Sequence, residues 1–361
     1  MTPRLLIVNP GSTSTKVAVF EGGSCVASET LHHDAEEIKS YPRIMDQFEF
    51  RRDAVVRFLE QSGIPGESLA AVVGRGGPLP PMEGGVYEVD DALIAALREY
   101  DIGHASSLGG LIAREIATPL GIPAFIADPV TTDELDDIAR FSGLPEIERK
   151  SIFHALNQKA VARAASRDIG RDYADLNLIL VHLGGGISVG AHRGGRVVEV
   201  ANALDGDGPY SPERSGGLPC SSLVRLCFSG KYTEGEMRRK LVGGGGLVAY
   251  LGTNSLIEVE KRIREGDDYA RLCYEGMAYQ VAKEVGRCAA VLSGNVDAII
   301  LTGGAARSQM LVDWITQRVK FIAPVMVYPG ENEMEALAEA GLRVLSGTER
   351  AKRITRGGGS L

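Results

Sequence analysis

The chain has 361 residues, a length that favours two domains over one ordinary core. Its composition, 44% hydrophobic and 24% charged, is typical of a soluble globular protein, and its net charge of −8 argues against a nucleic-acid-binding protein. No apolar run approaches the roughly 18 residues needed to cross a bilayer. Five cysteines without a CxxC pair predict reduced thiols, so we expect a cytoplasmic protein.

The first predicted element is a β-hairpin over residues 5–20, in which two apolar, β-branched runs flank a tight polar turn. The turn contains Gly11, four successive hydroxyl residues at 12–15 and the cation Lys16. Backbone amides, hydroxyls and a lysine that converge on one point suit a polyphosphate. The alternative interpretation of this turn alone is an ordinary hairpin.

Strands and helices alternate after this hairpin, which favours an α/β fold. The predicted strands cover 25–30, 69–73 and 123–128. Residues 38–62 are predicted to be mostly helical, and further helices are predicted over 91–99 and through Leu111 and Ile116. Two strands end on candidate site residues, Arg75 within a Gly-Arg-Gly-Gly turn and Asp128. Sites in α/β proteins commonly lie at strand ends. The structural alternatives are a surface arginine at Arg75 and a helix N-cap at Asp128.

Residues 178–191 repeat the pattern of the N-terminal hairpin. An apolar strand ends at His182, where the first repeat has Asn9, and a glycine turn follows. The two repeats start about one domain length apart. The repeat predicts two domains of related topology, each with a phosphate-type loop, and a nucleotide cleft between them. We place the first domain at residues 1–130 plus about 335–361 and the second at 131–334.

Several further elements are predicted in the second half of the chain. They are a helix over about 153–166, a Gly- and Pro-rich loop at 205–219, a helix over 269–292, a strand from 298 into a Gly-Gly turn, a helix through Trp314, a strand over 325–328 and a terminal helix. One stripe of the 269–292 helix is expected in the core: Leu272, Ala278, Val281, Val285, Ala289 and Leu292. Neither a Walker P-loop nor a G-x-G-x-x-G motif occurs, so the P-loop and Rossmann interpretations fail.

Four segments carry a resemblance to a known family. They are Val-Asn-Pro-Gly-Ser-Thr-Ser-Thr-Lys, Phe-His-Ala-Leu-Asn-Gln-Lys, His-Leu-Gly-Gly-Gly-Ile-Ser-Val-Gly and Ser-Pro-Glu-Arg-Ser-Gly, in this order. They resemble the butyrate kinases of the acetokinase family, within the acetate and sugar kinase, Hsp70 and actin superfamily. The resemblance covers nearly the whole chain and implies two ribonuclease-H-like domains that close on ATP.

The resemblance also implies roles for individual residues. In the first phosphate loop it matches Asn9, Ser12, Ser14 and Lys16. In the second phosphate loop and the adenosine-binding turn it matches Gly184, Gly185, Gly186, Gly303, Gly304 and Arg307. The catalytic positions it implies are Arg75, Asp128, His154 and Arg214, with Glu333 and Asn9 associated with Mg²⁺. For His182, phosphate binding and mere support of the loop both remain open.

The expected reaction is reversible phosphorylation of butyrate or a branched short-chain acid by ATP, through direct in-line transfer. A carboxylic acid is already ionised at neutral pH, so the attack needs charge neutralisation and positioning more than a general base. We interpret His154 as a hydrogen-bond donor to the phosphoryl oxygens, with a phosphohistidine as the alternative. Gly185 replaces an asparagine of the acetate kinases, which favours the butyrate branch.

The sequence is also compatible with several other functions. Within the family they are acetate or propionate kinase activity. Outside it they are a non-enzymatic actin-like or Hsp70-like ATP-binding protein and a sugar or polyol kinase with Asp128 as base. By analogy with relatives we also expect a homodimer or a larger homo-oligomer.

Overall fold

The computed structural model describes residues 2–100, 103–204 and 206–354. The chain divides into two compact units, one formed by Met1–Thr132 with Asn332–Leu361 and the other by Asp133–Glu331. The last seven residues, which the sequence places with the first domain, lie outside the described part of the chain.

Strands and helices alternate along the chain. The strands are β1 (Arg4–Pro10), β2 (Ser14–Glu21), β3 (Ser24–His32), β4 (Leu69–Arg75), β5 (Val86–Glu88), β6 (Ala124–Ala127), β7 (Asn177–Leu183), β8 (Ile187–Arg193), β9 (Arg196–Val200), β10 (Ala298–Gly303) and β11 (Val325–Pro329). The helices are α1 (Ala35–Ser40), α2 (Phe48–Ser62), α3 (Asp91–Glu99), α4 (Ser107–Leu120), α5 (Ala155–Ile169), α6 (Cys220–Cys227), α7 (Glu234–Leu241), α8 (Gly246–Leu251), α9 (Leu256–Arg264), α10 (Asp268–Val291), α11 (Gln309–Val319) and α12 (Glu333–Leu345).

The two units contain sheets of the same connectivity. The first sheet has the order β3-β2-β1-β4-β6-β5 and the second the order β11-β10-β7-β8-β9. In each sheet, three strands that are consecutive in sequence, β1–β3 or β7–β9, pair in antiparallel fashion. Two later strands, β4 and β6 or β10 and β11, then lie on the other side of β1 or β7 and run parallel to it. The α/β class and the duplicated topology predicted from the repeated hairpin are therefore confirmed, as is the ribonuclease-H-like fold that the family resemblance implied.

The central strands are covered on both faces, as their unbroken apolar sequences require. Leu5–Val8 of β1 and Leu178–Val181 of β7 have no exposed surface. Helix α4 packs against β4 so closely that a Cβ at Gly74 would overlap the backbone of Gly109. Such glycine contacts fix the end of β4, and therefore Arg75, against the start of α4.

The prediction that 38–62 is mostly helical is confirmed, with a break between α1, which ends at Ser40, and a short 3₁₀ turn that leads into α2 at Phe48. Pro42 explains the break, since proline lacks an amide donor and restricts the residue before it. One local prediction is wrong. Leu272 of α10 is 68% exposed rather than part of the core, although Val281 and Val285 of the same helix are fully buried.

Within the described residues no helix is both long enough and apolar enough to span a membrane.

Candidate active site

The first candidate loop is the turn between β1 and β2. Asn9 is 4% exposed and lies opposite Lys16 in the hairpin register. The Gly11 amide donates to the Ser14 carbonyl at 2.7 Å, which closes the turn, and Ser12 and Lys16 are exposed. The turn thus presents Ser12, Thr13 and the lysine to solvent, whereas Ser14 is half-buried, Thr15 is buried and the asparagine is held at the end of the buried strand.

Arg51 supports this turn from α2. Its Nη1 donates to the Gly11 carbonyl at 2.8 Å and its Nη2 donates to the Ser12 carbonyl at 3.1 Å. It also bonds Ser14 and Thr15, and it is fully buried. Burial lowers the pKa of its guanidinium to about 10. Sequence reasoning missed this residue, because one arginine within a helical segment gives no signal of which carbonyls it will meet.

Arg75, Asn9 and Glu333 form one hydrogen-bonded cluster. Nη1 of Arg75 lies 2.6 Å from the Glu333 carboxylate, and Nδ2 of Asn9 donates to Oε2 of Glu333 at 2.8 Å. Arg75 and Glu333 retain 25% and 15% of their side-chain exposure. Partial burial, and then the charge of Arg75, lower the pKa of His104. The cluster brings together three residues that the sequence analysis singled out from separate segments.

Asp128 has a different environment. It is 2% exposed, it has a φ of 39°, and its Oδ1 accepts a hydrogen bond from the Gly85 amide at 2.7 Å. A non-glycine residue in the left-handed region carries backbone strain, which is common at functional sites. No helix begins at Asp128, so the N-cap alternative is wrong. Asp128 lies one residue beyond Ala127, the strand partner of Arg75.

In the second unit, His154 and His182 stack face to face. Their ring centroids are 3.8 Å apart with an interplanar angle of 8°. Nδ1 of His182 lies 2.7 Å from Oδ1 of Asn157, whose Nδ2 donates to the Glu331 carbonyl at 2.8 Å. Because the carbonyl can only accept, the amide orientation is fixed and His182 must donate from Nδ1. His182 is 3% exposed, whereas His154 is half-buried.

The Gly-rich turn after β7 is held by the loop that carries Arg214. Ser211 donates through its hydroxyl to the Gly185 carbonyl, and a Cβ at Gly186 would overlap the Arg214 guanidinium. Nη1 of Arg214 donates to the Ala203 carbonyl at 2.5 Å. Its buried Nε has no partner among the described residues. Burial lowers the pKa of Arg214, against a smaller opposing effect of Glu213. An anionic ligand would satisfy this buried donor.

The predicted adenosine turn follows β10. Gly303 has a φ of 90° and approaches the backbone of Leu183 so closely that any side chain would overlap it. Its amide and carbonyl exchange hydrogen bonds with Gly330. Gly304 and Arg307 are both exposed. The turn therefore leaves the backbone at Gly304 exposed, and such a surface suits the packing of a planar adenine base.

The implied magnesium ion fits the donor chemistry of the first unit. Mg²⁺ in phosphoryl-transfer enzymes is usually bound by one or two carboxylates together with substrate phosphates. Glu333 supplies a carboxylate, and Asn9, whose amide nitrogen bonds that carboxylate, supplies an amide oxygen that lies 3.4 Å from Nη1 of Arg75. Within the described residues, no group of three or more His, Cys, Asp or Glu side chains could hold a metal ion. These residues suit a magnesium ion whose remaining ligands are the phosphates of a bound nucleotide.

Comparisons with known proteins agree with this description. A profile described as the acetokinase family matches residues 146–352. The chain is 55% identical over 351 residues to butyrate kinase 2 of Clostridium acetobutylicum, which covers 97% of this chain and 99% of that protein.

Solved structures of low identity share the fold. The crystal structure of Porphyromonas gingivalis acetate kinase has a TM-score of 0.81 at 20% identity, covering 95% of this chain and 100% of that one. A propionate kinase from Francisella tularensis subsp. tularensis has a TM-score of 0.72 at 18% identity, covering 94% and 98%. With the motifs in order, the duplicated topology and the close relative, the chain belongs to the acetokinase family.

Proposed function

We propose that this chain transfers the γ-phosphoryl group of ATP to a short-chain carboxylic acid, butyrate or a branched relative, in a reversible reaction that yields an acyl phosphate and ADP. Membership of the acetokinase family and the identity to a butyrate kinase support the proposal. The observation that carries it is the cluster of Arg75, Asn9 and Glu333 at the end of β4 and the start of α12.

The chemistry explains why an arginine is needed there. The acid is ionised at pH 7, so two anions must approach each other. A planar guanidinium matches carboxylate and phosphoryl oxygens, and it reduces their repulsion without any proton transfer. In-line positioning supplies much of the remaining acceleration. Arg75 would orient the carboxylate, and Arg214 would brace the phosphoryl group.

We propose ATP-binding roles for the loops that the family resemblance matches. Ser12, Ser14 and Lys16 of the first loop and Gly184–Gly186 of the second would bind the phosphates, and the turn at Gly303 and Gly304, followed by Arg307, would bind the adenosine. Glu333 and Asn9 would hold Mg²⁺, which offsets negative charge on the phosphates. His154 would donate a hydrogen bond to the transferring group.

The rival functions are weaker. Family membership argues against a non-enzymatic actin-like or Hsp70-like protein. Family membership also argues against a sugar or polyol kinase with Asp128 as base. Acetate and propionate remain possible substrates, because one methylene in an apolar pocket changes affinity by only about 1–3 kcal/mol. The cytoplasmic location and the homo-oligomer stay predictions.

Trapping with hydroxylamine tests the proposal. Purified protein is incubated with Mg-ATP and a series of straight and branched acids of two to six carbons, and the acyl hydroxamate is measured. We expect the highest kcat/KM with butyrate or a branched acid. No hydroxamate with any acid would contradict the proposal. ATP hydrolysis unaffected by acids would favour the non-enzymatic alternative.

A further inference from the structure

A chain of hydrogen bonds, buried at its centre, leads along β8 from Tyr173 to His154. Tyr173 bonds Nδ1 of His192 at 2.7 Å, and Nε2 of His192 bonds Oε1 of Gln158 at 3.0 Å. Nε2 of Gln158 then bonds Oγ of Ser188 at 2.9 Å, and that oxygen lies 2.9 Å from Nδ1 of His154. Gln158, Ser188 and His192 have no exposed surface.

The orientation of the Gln158 side-chain amide sets the direction of the hydrogen bonds on either side of it. Nε2 of Gln158 also donates to the Ser188 backbone carbonyl at 3.2 Å. A carbonyl can only accept, so the amide nitrogen of Gln158 must face Ser188 and its oxygen must face His192. His192 therefore donates from Nε2. Burial, followed by the charges of Lys159 and Arg163, holds the pKa of His192 well below its usual value, so the ring is neutral and its Nδ1 accepts from Tyr173.

The same reasoning fixes the proton of His154. The Ser188 hydroxyl accepts from Gln158, and among the described residues its only other side-chain partner is Nδ1 of His154. If that nitrogen were the donor, the fully buried hydroxyl hydrogen of Ser188 would have no acceptor, which is costly. Ser188 therefore donates to Nδ1, and a neutral His154 carries its proton on Nε2.

The fold keeps room for this arrangement. A Cβ at Gly190 would lie 2.8 Å from Oε1 of Gln158 and 3.4 Å from Nε2 of His192, so only glycine leaves space for their hydrogen bond. His154 stacks on His182, whose own proton is held on Nδ1 by Asn157. The two stacked rings thus hold opposite tautomers, each set by a buried amide.

We propose that Gln158 and Ser188 are positioning residues that fix His154 as the tautomer protonated on Nε2, so that it donates a hydrogen bond to the transferring phosphoryl group and is not a nucleophile. The proposal rests on the proposed phosphoryl transfer. A ring with its proton on Nε2 has no lone pair there to attack phosphorus. A donor aimed at developing phosphoryl charge is the role that this tautomer allows.

Histidine NMR tests the tautomer without any assay of turnover. The full chain, labelled with ¹⁵N at its six histidines, is recorded at neutral pH, and His154→Asn assigns the His154 signals. We expect an imine-type Nδ1 and a protonated Nε2 in His154. A protonated Nδ1, or an even mixture of tautomers, would overturn the proposal. A clear tautomer in a protein that forms no acyl phosphate would contradict the proposed function alone.

Kinetic measurements test whether Ser188 acts through His154. We expect Ser188→Ala to lower kcat tenfold to about a hundredfold, less than the roughly 10²–10³-fold that follows outright removal of a transition-state donor, with the KM for ATP within about twofold. In a His154→Asn background the same substitution should change kcat by less than about twofold. An equal loss in both backgrounds would show that Ser188 acts elsewhere. Ser166→Ala is the control, because in the part of the chain that the structure describes this buried hydroxyl bonds only the Arg163 carbonyl of its own helix.

A labelling experiment tests the excluded alternative. The protein is incubated with Mg-ATP labelled at the γ-phosphate, without acid acceptor, and denatured at alkaline pH. We expect no phosphohistidine. An acid-labile phosphate on His154 in near-stoichiometric amount would overturn the proposal.

Discussion

Arg75 and Glu333 are separated by 258 residues in the sequence, and Nη1 of Arg75 lies 2.6 Å from the Glu333 carboxylate. Asn9 joins the pair from a third segment through its amide at 2.8 Å. The hydrogen bonds among the three side chains hold Arg75 and Glu333 in one orientation before any ligand binds. An arriving acid or magnesium ion would compete for groups that are already in place, which keeps the cost of reorganisation low.

Replacement of Arg75 should impair the chemistry more than nucleotide binding. We expect Arg75→Ala to lower kcat by about 10²–10³-fold, because a preorganised cation is lost, with ATP affinity changed less than threefold. Acyl hydroxamate formation and ATP titration calorimetry measure the two effects. Arg353→Ala is the control, since Arg353 is 67% exposed and pairs with Glu88. A large loss of ATP affinity with unchanged kcat would place Arg75 in the nucleotide site instead.

Glu333→Gln should raise the requirement for magnesium. The amide keeps the shape of the side chain but removes the charge that binds the cation, so we expect the half-saturating Mg²⁺ concentration to rise at least tenfold. Turnover is measured over a magnesium series at constant ATP. Glu335→Gln, an exposed carboxylate in the first turn of the same helix, is the matched control. An unchanged magnesium dependence would remove Glu333 from the metal site.

Arg51→Met should destabilise the protein and loosen the first loop. The substitution removes the donor to the Gly11 and Ser12 carbonyls, and we expect a loss of about 2–4 kcal/mol in the free energy of unfolding together with a higher KM for ATP. Urea denaturation and steady-state kinetics measure these. Arg57→Met, at an exposed position of the same helix, should change neither. A stable Arg51 variant with normal KM would refute this role.

Gly186→Ala should displace Arg214. The added methyl group would overlap the guanidinium, whose position depends on the turn at 184–186, so we expect kcat to fall at least tenfold. The matched control is Gly286→Ala in α10, where a Cβ meets open space and should stabilise the helix by about 0.5–1 kcal/mol. Unchanged turnover in the Gly186 variant would show that Arg214 does not need this contact.

His33 should make stability depend on mildly acidic pH. Burial, and then the charges of Arg51 and His32, lower its pKa from 6.5 to about 4. Between these values the unfolded chain binds more protons than the folded one, so stability falls as the pH drops from about 6.5 to 4. Urea midpoints at pH 7 and pH 5 should differ less in His33→Asn than in the parent protein. An equal pH dependence in both would assign the effect to His104 and His192, whose pKa values are also lowered.

Local sequence determined the repeated hairpins and most of the elements between them. Unbroken apolar runs ending in small residues were sufficient to predict β1 with β2 and β7 with β8, because strand pairing over a short turn is a local event. The motifs also named the residues of the Arg75 cluster and His154. The exposed Leu272 shows where periodicity alone fails.

Tertiary structure decided which of these residues meet. Three sets of contacts join segments that are separated in the sequence. They are the contact of Arg75 with Glu333, the hydrogen bond from Arg51 to the Gly11 carbonyl, and the hydrogen bonds that link His192 to His154. No local sequence pattern encodes such contacts. The tautomer of His154 depends on Gln158, which the sequence pattern placed in a helix without assigning it a role. Hydrogen-bond direction is set by which donor faces which acceptor after folding. The sequence alone therefore determined the fold and the chemical class of the site, and the packing of distant segments decided its charge pairing and its proton positions.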